Sequence, residues 1–140
     1  MNFPTVKLPT WIHTVTVLNK RAGRDSADHL DAWKKTVLRD CFWAGKQTQG
    51  QSGQEVNEGA AYLLRVPQAG DYQPYLEWKA DMEGFTFSPG DYIILGEVTE
   101  EITPETVQAV VESHRPDAFE VQLFKDNTVG PLPHYRLEGV

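Results

Sequence analysis

Tyr92-Ile93-Ile94-Leu95 is an unbroken apolar run set between a Ser88-Pro89-Gly90-Asp91 turn and Gly96. A strand with one wet face alternates apolar and polar residues, so a continuous run has to be covered on both sides. The run predicts a strand over Tyr92–Val98 with burial on both faces. A layer to cover one of them follows directly, because Val107, Val110 and Val111 recur at helical spacing while Glu105, Gln108 and Glu112 fall on the opposite face. Thr103 suits the N-cap of that helix, Pro104 its first position and Glu105 the positive end of its dipole. Ile102 and Val107 occupy the two positions of a hydrophobic staple, and Pro116 ends the helix.

The rest of the chain reads mostly as strands. Trp11–Lys20 alternates, with Ile12, Thr14, Thr16 and Leu18 on one side and Val15 and Val17 on the other. A second, longer strand is expected from about Trp33 to Ala44, antiparallel to the first, with a helix over residues 31–38 as its competitor. Ala60–Pro67 reads as a third strand. In Ala118–Asn127, Phe119, Val121 and Leu123 alternate, and Pro133–Val140 supplies a last short strand. Between them, residues 68–90 mix aromatic and turn residues and are expected to cover one end of the sheet.

Residues 45–59 contain Gly, Gln and a single aliphatic residue, Val56. They bury too little to order themselves, and a loop of this length in a compact domain is either functional or disordered. The expected fold is mainly β: a small β-barrel or sandwich with one short α-helix, about Pro104 to Ser113, and long loops. One domain spans residues 1–140, with a flexible N-terminal segment 1–10 and loop 45–58.

Charge and residue types exclude most chemistry. A formal net charge of -7 opposes general nucleic-acid binding, which needs clustered Lys and Arg. One cysteine, Cys41, rules out an intrachain disulfide and suits a reducing cytoplasm. No segment approaches the roughly eighteen apolar residues of a membrane span. His13, His29, His114 and His134 are scattered without metal-ligand spacing, no family signature surrounds Cys41, and no phosphate-loop pattern occurs. Asp91, Glu97, Glu100, Glu101 and Glu105 crowd together but lack the spacing of a calcium loop; the simpler reading is a solvated turn that complements the helix dipole. The tryptophans and tyrosines have no basic groove beside them, so core and protein-interface burial outweighs base stacking. No catalytic residue, metal or cofactor is expected.

"IHTVTVLNK", "TVLRDCFWAGK", "FSPGDYIILGEVTEEIT" and "PLPHYRLEGV", in that order, resemble a family of small siphophage structural proteins encoded among portal, capsid and tail genes. The matching stretches fall on His13–Asn19, Trp33–Trp43, Pro89–Thr103 and Leu132–Gly139. The chain differs from the family pattern in the insertion "DYQPYLEWKADMEGF" and in a longer N-terminus. The resemblance implies a non-enzymatic virion protein, a head-completion or stopper subunit of the head-tail connector, with tail terminator and adaptor as alternatives. It would form a ring of its own copies in the virion neck, contact portal, adaptor and tail proteins, let DNA pass without sequence-specific binding, avoid membranes, and be made in the bacterial host cytoplasm. Gly45, Lys46, Gln47, Gln49, Gln51, Gln54 and Glu55 would then form an interface or channel loop. Glu97, Glu100 and Glu101 would form an acidic turn, and Leu132, His134, Tyr135 and Arg136 a C-terminal interface. The rival from another class is a stand-alone β-barrel whose Trp and Tyr residues line a small-molecule cavity.

Overall fold

The computed structural model describes residues 11–45 and 62–140. The expectations for residues 1–10, for Ala60 and for most of loop 45–58 lie outside the described residues. Six strands form a closed barrel in which every pair is antiparallel. They are β1 (His13–Arg21), β2 (Ala32–Ala44), β3 (Tyr62–Pro67), β4 (Tyr92–Leu95), β5 (Ala118–Asn127) and β6 (His134–Gly139). Around the barrel the order is β1-β2-β3-β6-β5-β4, so the chain crosses from β3 to β4 over one end instead of continuing to the next neighbour. That crossing carries a helix, α1 (Tyr75–Asp81), and a second helix, α2 (Val107–His114), lies between β4 and β5.

The apolar run of β4 is buried on both faces as its sequence requires. Ile93 points into the barrel with Val15, Val17 and Phe119, while Tyr92 and Ile94 join Leu18 and the three valines of α2 in a separate outer cluster. The same holds for β1, where Val15 to Asn19 are all buried. Alternation along β1 therefore separates two cores and not core from water. The competitor helix over residues 31–38 is not formed; that stretch pairs with β1 from Val15 opposite Leu38 to Arg21 opposite Ala32.

Two bulges adjust the register. Between His13 and Val15 the partner strand has an extra residue, with Asp40 at φ 60°. Between Val121 and Leu123 the extra residue is on β5. The expected inward series Phe119, Val121, Leu123 therefore fails at its last member: Leu123 is exposed and Phe124 turns toward the core instead.

The helix α2 begins later than the capping pattern implies. Regular helix starts at Val107, preceded by a turn over residues 104–106. Thr103 still acts as a cap, on that turn: its Oγ1 accepts from Thr106 N–H (3.2 Å), and its own N–H donates to Thr106 Oγ1 (2.9 Å). This is the reciprocal logic of a capping box, with Thr106 in the place of Glu or Gln. Ile102 packs against the outer cluster that contains Val107, as the staple requires.

Helix α1 was not expected. Pro74 precedes it, its carbonyl accepting from Glu77 and Trp78 N–H, and Leu76, Glu77, Lys79 and Ala80 are good helix formers. Its anchor is Trp78, fully buried, whose indole N–H donates to Gly84 O (3.2 Å). The segment closes one end of the barrel, where Phe85 and Phe87 stack among Tyr72, Phe124 and Tyr135. Together with Trp43, Tyr62 and Phe119 at the other end these rings fill the lumen.

Candidate functional site

The Ser88-Pro89-Gly90-Asp91 turn is tied to β1 by a buried polar latch. Asp91 is 1% exposed and Asn19 fully buried. Asn19 Nδ2 donates to Asp91 Oδ2 (2.8 Å) and to Thr86 O (2.6 Å), while its Oδ1 accepts from Thr86 N–H (3.2 Å). Asp91 Oδ1 accepts from Lys20 N–H (3.1 Å), and Oδ2 accepts also from Ser88 N–H (3.0 Å). Burial pushes the Asp91 carboxyl up to about 7, against these three hydrogen bonds, each of which favours the carboxylate. Both oxygens are engaged by protein donors, so this acid holds the turn and is not presented to a ligand.

Above the latch lies an open cleft of about 510 Å³. Its walls come from β1 and the turn after it (Lys20, Arg24), from β2 (Trp33), from α1 (Tyr75), from residues 88–92, from α2 (Gln108) and from β5 (Glu120). Trp33 and Tyr92 stack with centroids 5.7 Å apart at 22°, and Lys20 Nζ sits 5.9 Å from the Trp33 ring. Gln108 Nε2 donates to the Tyr92 hydroxyl (2.8 Å). The Tyr75 hydroxyl donates to Asp25 (2.7 Å); this bond, followed by Lys79, holds the Asp25 carboxyl below the usual range. The cleft offers aromatic faces, two cations, an amide and a carboxylate, a set suited to binding. Sequence reasoning noted Trp33, Asp91 and Tyr92 singly but not their meeting, because the cleft is assembled from six separate segments.

The acidic turn does not converge. Glu97 pairs with Arg39 (3.6 Å), Glu100 with His114 (3.0 Å), and Glu101 is exposed, its carbonyl accepting from Thr106 Oγ1 (3.1 Å). The Glu100 carboxyl is held below its usual range by its own backbone N–H and then by His114. Pairs this exposed are screened by solvent and contribute little to stability. Among the described residues no group of His, Cys, Asp and Glu is arranged to hold a metal ion.

At the C-terminal stretch the predicted interface residues divide. Tyr135 is 3% exposed and packs 4.5 Å from Tyr72 inside the barrel, so its ring is a core element and not a docking surface. The alternation of β6 dictates this, since Tyr135 and Leu137 share the inner face. Leu132, His134 and Arg136 are half-buried at the surface; His134 lies 2.9 Å from Leu132 O and edge-on to Trp11, and Arg136 pairs with Glu138 (2.8 Å). Gly45 is described, next to the Trp43 indole; Lys46, Gln47, Gln49, Gln51, Gln54 and Glu55 lie outside the described residues. Cys41 is fully buried, and burial pushes its thiol up to about 12, which makes it a core residue, as its place on β2 implies.

Residues 10–140 match the model of a family described as Family of unknown function (DUF6751), and the chain belongs to that family. No curated protein and no solved structure matches it.

Proposed function

We propose that this member of the family is a virion structural protein, a head-completion or stopper subunit that forms a ring between the portal or adaptor and the tail of a siphophage. The observation that carries the reading is the closed barrel whose lumen is filled by side chains, which leaves its outer faces and loops as the surfaces available for function. Such a unit suits a building block whose partners are other proteins, and the ordered sequence resemblance points to the same role. On this reading the protein is no enzyme and takes no cofactor. Its partners are its own copies, the neighbouring portal, adaptor and tail proteins, and DNA that passes without being read. A net charge of -7 supports the last point, because a like-charged wall discourages DNA from adsorbing. Tail terminator and adaptor are the neighbouring assignments in the same neck.

The test is imaging. Purified protein mixed with portal-bearing capsids is expected to appear as a ring beneath the portal. Replacing residues 46–58 by Asn-Gly is expected to abolish head-tail joining without unfolding the domain. Normal joining and infectivity of phage carrying that replacement, with no ring on capsids, would overturn the proposal.

The second reading, a small-molecule binding module, is favoured by the cleft beside Trp33 and Tyr92. That cleft lies outside the barrel, since the lumen is filled. Quenching of tryptophan fluorescence by a small ligand, abolished by Trp33→Leu, would favour it over the connector.

A further inference from the structure

The barrel closes over only part of β2. Its pairing with β3 covers Phe42, Trp43 and Ala44, while the stretch from Ala32 to Leu38 pairs with β1 alone. The direction of the backbone groups along that stretch follows from β1. Lys20 N–H donates toward Asp91 and Thr14 C=O accepts from Gly96 N–H, so the even-numbered residues of β1 face β4. The odd-numbered residues Val15, Val17, Asn19 and Arg21 therefore face β2, opposite Leu38, Thr36, Lys34 and Ala32. It follows that the N–H and C=O of Trp33, Lys35 and Val37 are directed away from β1. Among the described residues they have no backbone hydrogen-bond partner.

We infer that the edge of β2 from Trp33 to Val37 is a docking surface for an extended, carboxylate-bearing strand of a partner protein, which would join it by sheet augmentation. The inference does not depend on the connector reading. A row of outward N–H and C=O groups is a template for another strand, and main-chain hydrogen bonds supply the attraction. The flanking side chains choose the occupant. Lys34 and Lys35 sit on the two faces of the edge, while Arg39 just beyond it is already paired with Glu97 (3.6 Å). Lys34 Nζ donates to Met82 O (2.8 Å) and Lys35 Nζ to Glu100 O (2.9 Å); both acceptors are carbonyls, and among the described residues neither ammonium forms an ion pair. A second copy of this edge fits poorly, because the antiparallel register that engages Trp33, Lys35 and Val37 in both copies sets Lys35 against Lys35. Carboxylates at alternate positions of the incoming strand meet the lysines instead.

Residue-resolved hydrogen exchange tests this directly. In the free protein the amides of Trp33, Lys35 and Val37 are expected to exchange much faster than those of Lys34 and Thr36, which bond to β1. A short synthetic peptide of alternating Thr and Glu, at ten times its dissociation constant, is expected to slow the three edge amides about tenfold. The counterpart of alternating Thr and Lys is expected to leave them unchanged. Val37→Pro removes an outward N–H and spares the ladder to β1, so it should abolish the protection. Should that variant fail to fold, Lys35→Glu is expected to weaken the preference for the Glu peptide. Edge amides protected in the free protein at every concentration would show that the chain covers its own edge, and protection that grows with protein concentration would show self-pairing. Either result, or equal effects of the two peptides, overturns the proposal.

Discussion

The barrel lumen and the layer beneath α2 are built from opposite faces of the same strands, yet they solve packing differently. The lumen is dominated by rings, with Phe119 stacked on Tyr62 at 5.1 Å and 12° and Trp43 tilted against both. The outer layer is mostly aliphatic, with Tyr92 as its buried ring: Val98, Val107, Val110, Val111 and Ala118 close over Leu18 and Ile94. Rings converging from four strands and the β3–β4 crossing make the lumen the part that closes the fold. The outer layer adds α2 to a sheet that already exists. Damage to the lumen should therefore cost more than comparable damage outside.

The largest test of that contrast is Phe119→Ala, which leaves a cavity among Trp43 and Tyr62; a loss of about 3–5 kcal/mol is expected in denaturant unfolding. A loss no greater than that of an outer valine would break the comparison. Gly139→Ala probes the same region through the backbone. A Cβ there would run into Glu120 O and the edge of the Phe119 ring, so about 1–3 kcal/mol is expected, with overpacking as the cause. On the outer side, Val111→Ala removes two buried methyl groups and should cost about 1.5 kcal/mol.

The latch at Asp91 joins the two regions and makes a prediction in pH. Its pKa is raised in the folded protein to about 7 from an ordinary value of 3.8, so the folded state holds a proton that the unfolded chain has released. The stabilising contribution is fully present below about 4 and is lost as pH rises to about 7. Asp91→Asn should remove that component of the slope, measured as the denaturant midpoint against pH. A slope unchanged by the substitution would assign it to other groups. The smallest effect is expected from Thr103→Ala, about 0.5–1 kcal/mol, because the turn it caps is exposed and precedes the regular helix. No change in midpoint would show that the staple at Ile102 suffices.

Much of the fold was legible because the strands announce themselves. Tyr92–Leu95 predicted two-sided burial, and the valines of α2 predicted the layer that provides it. What escaped has a physical reason in each case. Helix α1 is too short to show periodicity, and its single buried anchor, Trp78, resembles any other aromatic in a loop-like stretch. The reversal at Leu123 depends on one inserted residue, which alternation cannot reveal until the partner strand fixes the register. Tyr135 reads as a surface aromatic in a terminal segment until β6 is placed between β3 and β5. The cleft and the open edge of β2 are properties of the assembled barrel. No local pattern marks Trp33, Lys35 and Val37 as outward-bonding, because that follows from the parity of β1 against β4.

The bulge at Gln122 divides β5 into two phases. Upstream, the odd positions Phe119 and Val121 belong to the interior, and downstream the even position Phe124 packs against it, so the strand behaves as two half-strands that happen to be continuous. A map of tolerated substitutions along Ala118–Asn127 should accordingly change its rhythm at Gln122: apolar requirements at Phe119 and Val121, then at Phe124, with Leu123 free to vary. Deleting Gln122 alone would remove the bulge and put Phe119, Val121 and Phe124 into one unbroken alternation with Leu123 still outward, making this single position the timing element of the strand.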